Sequence, residues 1–174
     1  MSELKQGFLK VVDYWKILLL AFVVTFILQK FIFILAVIPS ESMETTLNIG
    51  DRIFSYSSWL KPEITYDDIV VFKPNTGEEE YWIKRVIGFP GDKVRIEHGT
   101  VYVNGNEITE TYVSSADDYS GSFTVPNDSY FVLGDNRSNS KDARYWSDPY
   151  IKKTQIKYIA LFRVFPFNSI GFIK

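Results

Sequence analysis

The stretch YWIKRVIGFPGD, residues 81–92, combines a β-prone run with a tight-turn signal. Its first seven residues are mostly aromatic or β-branched, which predicts a strand over 81–87. With a period of two, Trp82, Lys84 and Val86 share one face of that strand, and the residues between them share the other. Residues 89–92 then place Pro and Gly at the central positions of a type II turn. A strand that ends in a tight turn is typical of an antiparallel β fold.

Outward from this stretch, short β-rich runs separated by turn residues continue the pattern. Asn104-Gly105 is a hairpin signal. Residues 111–122 are polar, which predicts an exposed loop. No long helical period follows Pro39, so we expect residues 39–174 to form an all-β domain. The other predicted strands are 69–72, 93–96, 100–103, 130–133 and 156–165.

Residues 17–38 read ILLLAFVVTFILQKFIFILAVI and are long enough to cross a bilayer, which takes roughly 20 apolar residues. Either the whole stretch spans, or a helix begins near Val11 or Val12 and ends near Gln29, leaving 31–38 as an interfacial strand. We prefer the second, because Lys30 is unfavourable at the bilayer centre. A cleavable signal peptide is the competing interpretation, but its apolar region is usually shorter. A buried core helix is the other.

The lysines before the apolar stretch predict its orientation. Lys5, Lys10 and Lys16 precede it, so we expect residues 1–16 to be cytoplasmic and residues 39–174 extracytoplasmic. Tyr14 and Trp15 suit the interfacial aromatic belt. The sequence therefore predicts an all-β catalytic domain on one N-terminal transmembrane helix, 17–38, in the cell membrane, with the lipid bilayer as a partner.

The composition excludes several kinds of chemistry. The 174 residues carry a net charge of −2, which does not favour nucleic acid as a partner. Cysteine is absent, so thiolate nucleophiles and cysteine-bound zinc are excluded. The only histidine, His98, lies in a predicted turn, which leaves little for a Ser-His-Asp triad or a histidine metal site. Acyl transfer would need another base, and a Ser-Lys pair is a known variant.

Three segments carry candidate residues. Residues 39–47 contain Ser40 and Ser42, which by pattern alone are more typical of a turn or a helix cap than of a catalytic site. Lys84 shares its strand face with apolar neighbours, so burial would lower the pKa of its amine and make it a base. A lysine whose stem packs while its head reaches water has the same pattern. Residues 134–144 form a polar loop, either structural or one that orders a catalytic pair.

Together these segments resemble the conserved boxes of the type I signal peptidases. The matching stretches are PSESM at 39–43, DDIVVF at 67–72, WIKRVIGFPGD at 82–92 and GDNRSNSKDAR at 134–144. With the preceding apolar stretch, the resemblance covers essentially the whole chain. It is similar to the compact single-span form of Gram-positive bacteria.

The resemblance implies a membrane-bound serine endopeptidase that cuts signal peptides from exported preproteins after Ala-X-Ala-type sequences. Its nucleophile would be Ser42 and its general base Lys84, without metal or cofactor. Partners would be preprotein signal peptides and the secretion translocon. Ser40 would complete the oxyanion hole, Ser140 would orient the lysine, and Asp142 and Arg144 would form a salt-bridged support. The implied pocket residues are Ile38, Trp82 and Ile83.

Two positions depart from the family pattern, and other interpretations compete. Thr45 stands where the family usually has proline, and Ala143 where it usually has serine. The alternatives are a specialised relative that processes pilin subunits, a catalytically inactive homologue that serves pilus assembly, and a self-cleaving repressor. The apolar segment in place of a DNA-binding domain argues against the repressor, and the presence of both Ser42 and Lys84 argues against the inactive homologue.

Overall fold

The fold is one helix followed by an antiparallel β structure, as described by a computed structural model for residues 2–61, 63–74 and 80–173. Helix α1 (Ser2–Phe31) leads directly into the first strand. In chain order the strands are β1 (Phe33–Val37), β2 (Arg52–Ser57), β3 (Ile69–Phe72), β4 (Trp82–Gly88), β5 (Lys93–Glu97), β6 (Thr100–Val103), β7 (Asn106–Glu107), β8 (Gly121–Thr124), β9 (Ser129–Leu133), β10 (Ile151–Lys152), β11 (Ile156–Phe165) and β12 (Gly171–Phe172).

The larger sheet has the strand order β1-β2-β11-β3-β4-β9-β10, and β12 pairs with β11. Strand β4 lies between β3 and β9, with Lys84 opposite Val70 and Arg85 opposite Leu133. Apolar side chains pack on this sheet in separate clusters. Val86 belongs to one cluster and Ile83 to another, as expected for neighbours that alternate along a strand. Strand β4 is therefore buried over nearly its whole length.

The smaller sheet has the order β7-β6-β5-β8, and its turns have the predicted chemistry. Asn104 and Gly105 both have positive φ, 53° and 86°, in the turn that joins β6 to β7. Such a turn needs residues that tolerate a left-handed backbone, which explains the Asn-Gly pair. The predicted turn after β4 is also confirmed, because the Asp92 N–H donates to the Phe89 carbonyl at 2.9 Å and Gly91 has a φ of 88°.

The predicted all-β fold is confirmed, and so are all six strands predicted from 69 onward, to within one residue at either end. Strand β2 was missed because Ser55 and Ser57 alternate with its exposed positions, so its buried face does not read as apolar. The prediction of a loop over 111–122 is wrong at its end, since β8 begins at Gly121. Residue 121 pairs with Ile96 of β5, a long-range contact without a local signal.

Helix α1 begins earlier than predicted and ends two residues later. The start near Val11 or Val12 was inferred from bilayer thickness, whereas residues 2–10 contain good helix formers that extend the helix to Ser2. The preferred strand after the helix is present as β1, which pairs with β2 from Phe33↔Tyr56 to Val37↔Arg52. The side chains of Lys5, Lys10 and Lys30, used in the membrane prediction, lie outside the described residues.

Across the described part of the chain, none of the helices combines the length and the apolar character needed to cross a membrane.

We expect Gly88→Ala to destabilise the fold. A Cβ at Gly88 would lie 2.6 Å from Val94 Cγ2 and 3.1 Å from Phe131 Cβ, so the packing between the sheets would have to shift. Overpacking of this kind costs about 1–3 kcal/mol. Gly171→Ala is the matched control, since nothing lies within 4 Å of its Cβ position. Denaturant unfolding measures both, and an unchanged midpoint for Gly88→Ala would contradict this packing.

Candidate active site

Ser42 lies in a short 3₁₀ turn, Glu41–Met43, that follows β1. Met43 is fully buried in an apolar cluster with Ile38 and Leu47, which fixes the turn against the sheet. Ser42 is 7% exposed, and its Oγ lies 3.4 Å from the Oγ of Ser40. Ser40 precedes the turn, but its side chain makes no capping hydrogen bond. A simple capping role therefore does not account for Ser40.

The amine of Lys84 donates a hydrogen bond to the hydroxyl of Ser42, with 2.6 Å between Nζ and Oγ. The two residues are 42 positions apart in the chain and belong to different elements, β4 and the 3₁₀ turn. Lys84 is 5% exposed, so its head does not extend into water. The structure thus brings together the two residues that the sequence proposed as nucleophile and base.

Burial lowers the pKa of the Lys84 amine from 10.5 to about 8. The main cause is loss of hydration of the ammonium form. The carboxylates of Asp142 and Asp135 act in the opposite direction and raise the pKa, while the Arg144 guanidinium lowers it further. The lowered pKa makes the neutral amine accessible near pH 8, and at 2.6 Å its nitrogen is close enough to the hydroxyl to act as a proton acceptor.

The neighbouring Arg85 forms a two-point ion pair with Asp135, which the sequence analysis did not find. Its Nε and Nη2 donate to the two carboxylate oxygens at 2.8 and 2.6 Å, and both residues are 0% exposed. Thr46 donates to the same carboxylate at 2.5 Å. The pair joins strand β4 to the 134–144 loop and to the chain just after Ser42. The available signal was a pair of adjacent cations in a predicted strand whose other residues are aromatic or β-branched.

The 134–144 loop holds the backbone of Ser42. The N–H of Asn136 donates to the Ser42 carbonyl at 3.2 Å. Gly134 packs so closely that an added Cβ would lie 2.4 Å from the same carbonyl oxygen. The Asp142 carboxylate accepts from the Gly134 N–H at 2.9 Å and pairs with Arg144, whose Nε lies 2.8 Å away. Asp142 and Arg144 thus lie where a salt-bridged support would act.

Ser140 lies close to the pair without contacting it by a hydrogen bond. It is 6% exposed, and its Oγ has no hydrogen-bond partner in the described part of the chain. A Cβ built on Gly134 would lie 2.2 Å from this Oγ, so Gly134 leaves the space that the hydroxyl occupies. Its role in orienting Lys84 stays a prediction.

A groove of about 620 Å³ opens beside the Ser42–Lys84 pair. Trp82 and Ile83 line it, as the sequence analysis proposed for the pocket. Ile38 is not among its lining residues and is 2% exposed within the apolar cluster around Met43. The lining residues are Pro39, Ser40, Glu41, Ser42, Ile49, Glu80, Tyr81, Trp82, Ile83, Lys84, Asn139 and Lys141.

The sequence analysis singled out three further positions. His98 is in the exposed β5–β6 turn, where its ring nitrogen lies 2.6 Å from Asp118. Ala143, in place of the family serine, is fully buried in an apolar cluster to which both sheets contribute. Thr45, in place of the family proline, follows a cis peptide bond with Glu44.

The chain is similar to known proteins over most of its length. The family model described as signal peptidase, peptidase S26, matches residues 11–165. Signal peptidase I of Bacillus amyloliquefaciens is 36% identical over 173 residues, which cover 92% of this chain and 91% of that protein. Probable signal peptidase I-2 of Synechocystis sp. is 40% identical over 143 residues, covering 78% of this chain and 65% of that longer protein.

Among solved structures, a signal peptidase I from Enterococcus faecalis V583 is 31% identical, with a TM-score of 0.47, over 56% of this chain and 96% of that one. The family assignment rests on the sequence matches, which include a relative above 30% identity over nine tenths of both chains. The chain therefore belongs to the type I signal peptidases of the signal peptidase, peptidase S26, family, a family of proteolytic hydrolases.

Proposed function

We propose that the chain is a serine endopeptidase that removes signal peptides from exported preproteins, with Ser42 as nucleophile and Lys84 as general base. The observation that carries this proposal is the 2.6 Å hydrogen bond between two buried side chains, one of them an amine of lowered pKa. The relatives support the choice of substrate, since they are named signal peptidase I. Neither the described contacts nor these names favour the specialised pilin-processing or the inactive alternative.

In the first half of the reaction, neutral Lys84 takes the proton from the Ser42 hydroxyl as Oγ attacks the scissile carbonyl. The negative charge that develops on the carbonyl oxygen is stabilised by the Ser42 backbone N–H and the Ser40 hydroxyl. Protonated Lys84 then gives its proton to the leaving amine, and the mature protein departs. In the second half, Lys84 removes a proton from water as the water oxygen attacks the acyl-Ser42 ester. It then returns that proton to the departing Ser42 Oγ, which releases the signal peptide as a carboxylic acid and restores the hydroxyl and the neutral amine.

The groove supports selection of small residues on the signal-peptide side of the cut. Trp82 and Ile83 supply apolar surface next to the reacting pair. We propose that this surface leaves shallow pockets for the small side chains of an Ala-X-Ala sequence, with Ile38 shaping the pocket wall from below. Ser140 and the Asp142–Arg144 pair would keep the Lys84 amine directed at Ser42.

We also propose that α1 anchors the chain in the cell membrane in a single pass, with the β domain on the extracytoplasmic side. The described side chains from 13 to 26 are all exposed, among them Leu18, Leu20 and Phe22. A bilayer would cover this apolar surface. Preproteins, and the translocon that delivers them, would then meet the groove at the membrane.

Ser42→Ala and Lys84→Arg should each lower kcat roughly 10³-fold or more while the chain stays folded. The first removes the nucleophile. The second keeps the charge, but arginine stays protonated and cannot act as a base. Cleavage of a preprotein with an Ala-X-Ala site, followed by N-terminal sequencing of the product, measures both. Ser122 and Lys93 are exposed, so Ser122→Ala and Lys93→Arg are the matched controls. A wild-type rate in Ser42→Ala or Lys84→Arg would contradict the proposed Ser42–Lys84 pair.

Ser40→Ala should lower kcat with little change in KM, because the hydroxyl acts on charge present only in the transition state. Removal of one such donor typically costs about 10²–10³ in rate. Ser40→Thr keeps a hydroxyl and should retain more activity than Ser40→Ala. Steady-state kinetics with thermal melts separate the two variants, and a stable, fully active Ser40→Ala protein would remove Ser40 from the mechanism.

The native chain should remain in the membrane pellet after alkaline carbonate extraction, whereas a Leu20→Glu and Val24→Glu double variant should be released. Two carboxylates among the exposed apolar side chains of residues 17–26 oppose insertion into lipid. Immunoblots of pellet and supernatant measure the distribution. Recovery of the native chain in the supernatant would contradict the anchor.

A further inference from the structure

Residues 110–119, predicted to lie mainly in an exposed loop, pack along the 134–144 loop instead. Ser115 forms a parallel bridge with Asn136, and the Ser138 N–H donates to the Ser115 carbonyl at 3.1 Å. The Ser114 N–H reaches the Asp135 carbonyl at 3.3 Å. We call residues 110–119 the brace. These contacts make the brace a neighbour of the loop that holds Ser42.

Asp117 in the brace shares Arg144 with Asp142. Arg144 Nη1 pairs with Asp117, while Nε and Nη2 bind the Asp142 carboxylate at 2.8 and 2.9 Å. The Arg144 side chain is 1% exposed and that of Asp117 16%. The hydroxyl of Tyr145 donates to the same Asp117 oxygen at 3.2 Å. All three guanidinium nitrogens are thereby engaged by carboxylates, one in the brace and one in the 134–144 loop.

A second ion pair ties the other end of the brace to the loop. Glu110 accepts from Arg137 Nη1 and Nη2 at 3.0 and 2.5 Å, and both side chains are buried. Arg137 Nε donates in turn to the Gly134 carbonyl at 2.9 Å. The brace therefore holds the 134–144 loop at two points. At each point it binds an arginine of the loop that also donates a hydrogen bond to the backbone of the loop.

From Arg144, contacts lead directly to the nucleophile. Arg144 fixes Asp142, and Asp142 accepts from the Gly134 N–H. Gly134 in turn packs against the Ser42 carbonyl. A displaced Arg144 would thus move the backbone that sets the Ser42 hydroxyl against the Lys84 amine. Catalysis is sensitive to such shifts, since about 1 Å of misplacement costs up to roughly 10² in rate.

We propose that Asp117 is a positioning residue for catalysis, which holds Arg144 and, through the 134–144 loop, the Ser42–Lys84 arrangement. The inference rests on the proposed function. Neither Asp117 nor Arg144 is among the residues that line the groove. Loss of Asp117 should therefore change the rate of the chemical step and leave substrate binding nearly unchanged.

Asp117→Asn should lower kcat about tenfold or more, with KM within twofold of wild type, because the amide keeps the size of the side chain but not the charge that holds Arg144. Asp117→Glu restores the charge and should recover part of the rate. Asp118→Asn is the matched control, since the Asp118 side chain is 86% exposed and pairs with the surface residue His98. Its kcat should equal that of wild type. Cleavage kinetics and thermal melts on the full chain in detergent measure all four proteins.

Tyr145→Phe keeps the inference testable if Asp117→Asn is unstable, because this substitution removes only the hydroxyl that donates to Asp117. We expect a loss in kcat of about two- to fivefold with KM unchanged. A kcat of Asp117→Asn within twofold of wild type would overturn the inference, and so would a loss of kcat/KM that comes from a raised KM. An unstable Asp117→Asn protein together with a fully active Tyr145→Phe protein would also overturn it. In these cases wild type still cleaves and the proposed function stands, whereas an inactive wild-type chain overturns both.

Discussion

Two adjacent cations, Lys84 and Arg85, are buried in the middle of an antiparallel sheet, and their different partners determine the chemistry of the site. Arg85 is neutralised by Asp135 through two hydrogen bonds, which offsets the loss of hydration of its charge. The Lys84 amine donates instead to the neutral hydroxyl of Ser42. Burial without a directly paired carboxylate lowers the pKa of the lysine, whereas the arginine stays charged. One strand therefore carries both the proposed base and a structural anchor.

The anchor explains how segments far apart in sequence come to form one site. Asp135 receives hydrogen bonds from Arg85 of β4 and from Thr46, four residues after Ser42. The same loop carries Asn136, which binds the Ser42 carbonyl, and Asp142, which binds the Gly134 N–H. Because these groups are buried or half-buried and hydrogen-bonded to one another, moving one leaves another unsatisfied. The arrangement is held by polar contacts on a framework of apolar strands.

Local sequence pattern predicted the framework well, because β3 is a continuous apolar run, β11 is rich in aromatic and β-branched residues, and the Asn104-Gly105 turn has its own signal. It failed at β2, whose buried face includes serines. Ser42 and Lys84 were found through a family resemblance rather than through pattern. The Arg85–Asp135 pair and the contacts of residues 110–119 were not found, since polar side chains that meet across 27 to 50 positions leave no periodic trace.

The dependence of kcat/KM on pH tests the central claim, that a buried lysine of lowered pKa is the base, most directly. The neutral fraction of Lys84 increases with pH through about 8. A plot of log kcat/KM against pH should therefore rise with unit slope below that value and level off above it. A limb centred near 8 would support the account. A rate independent of pH between about 6 and 10, or a limb centred near the ordinary lysine value of about 10.4, would contradict it.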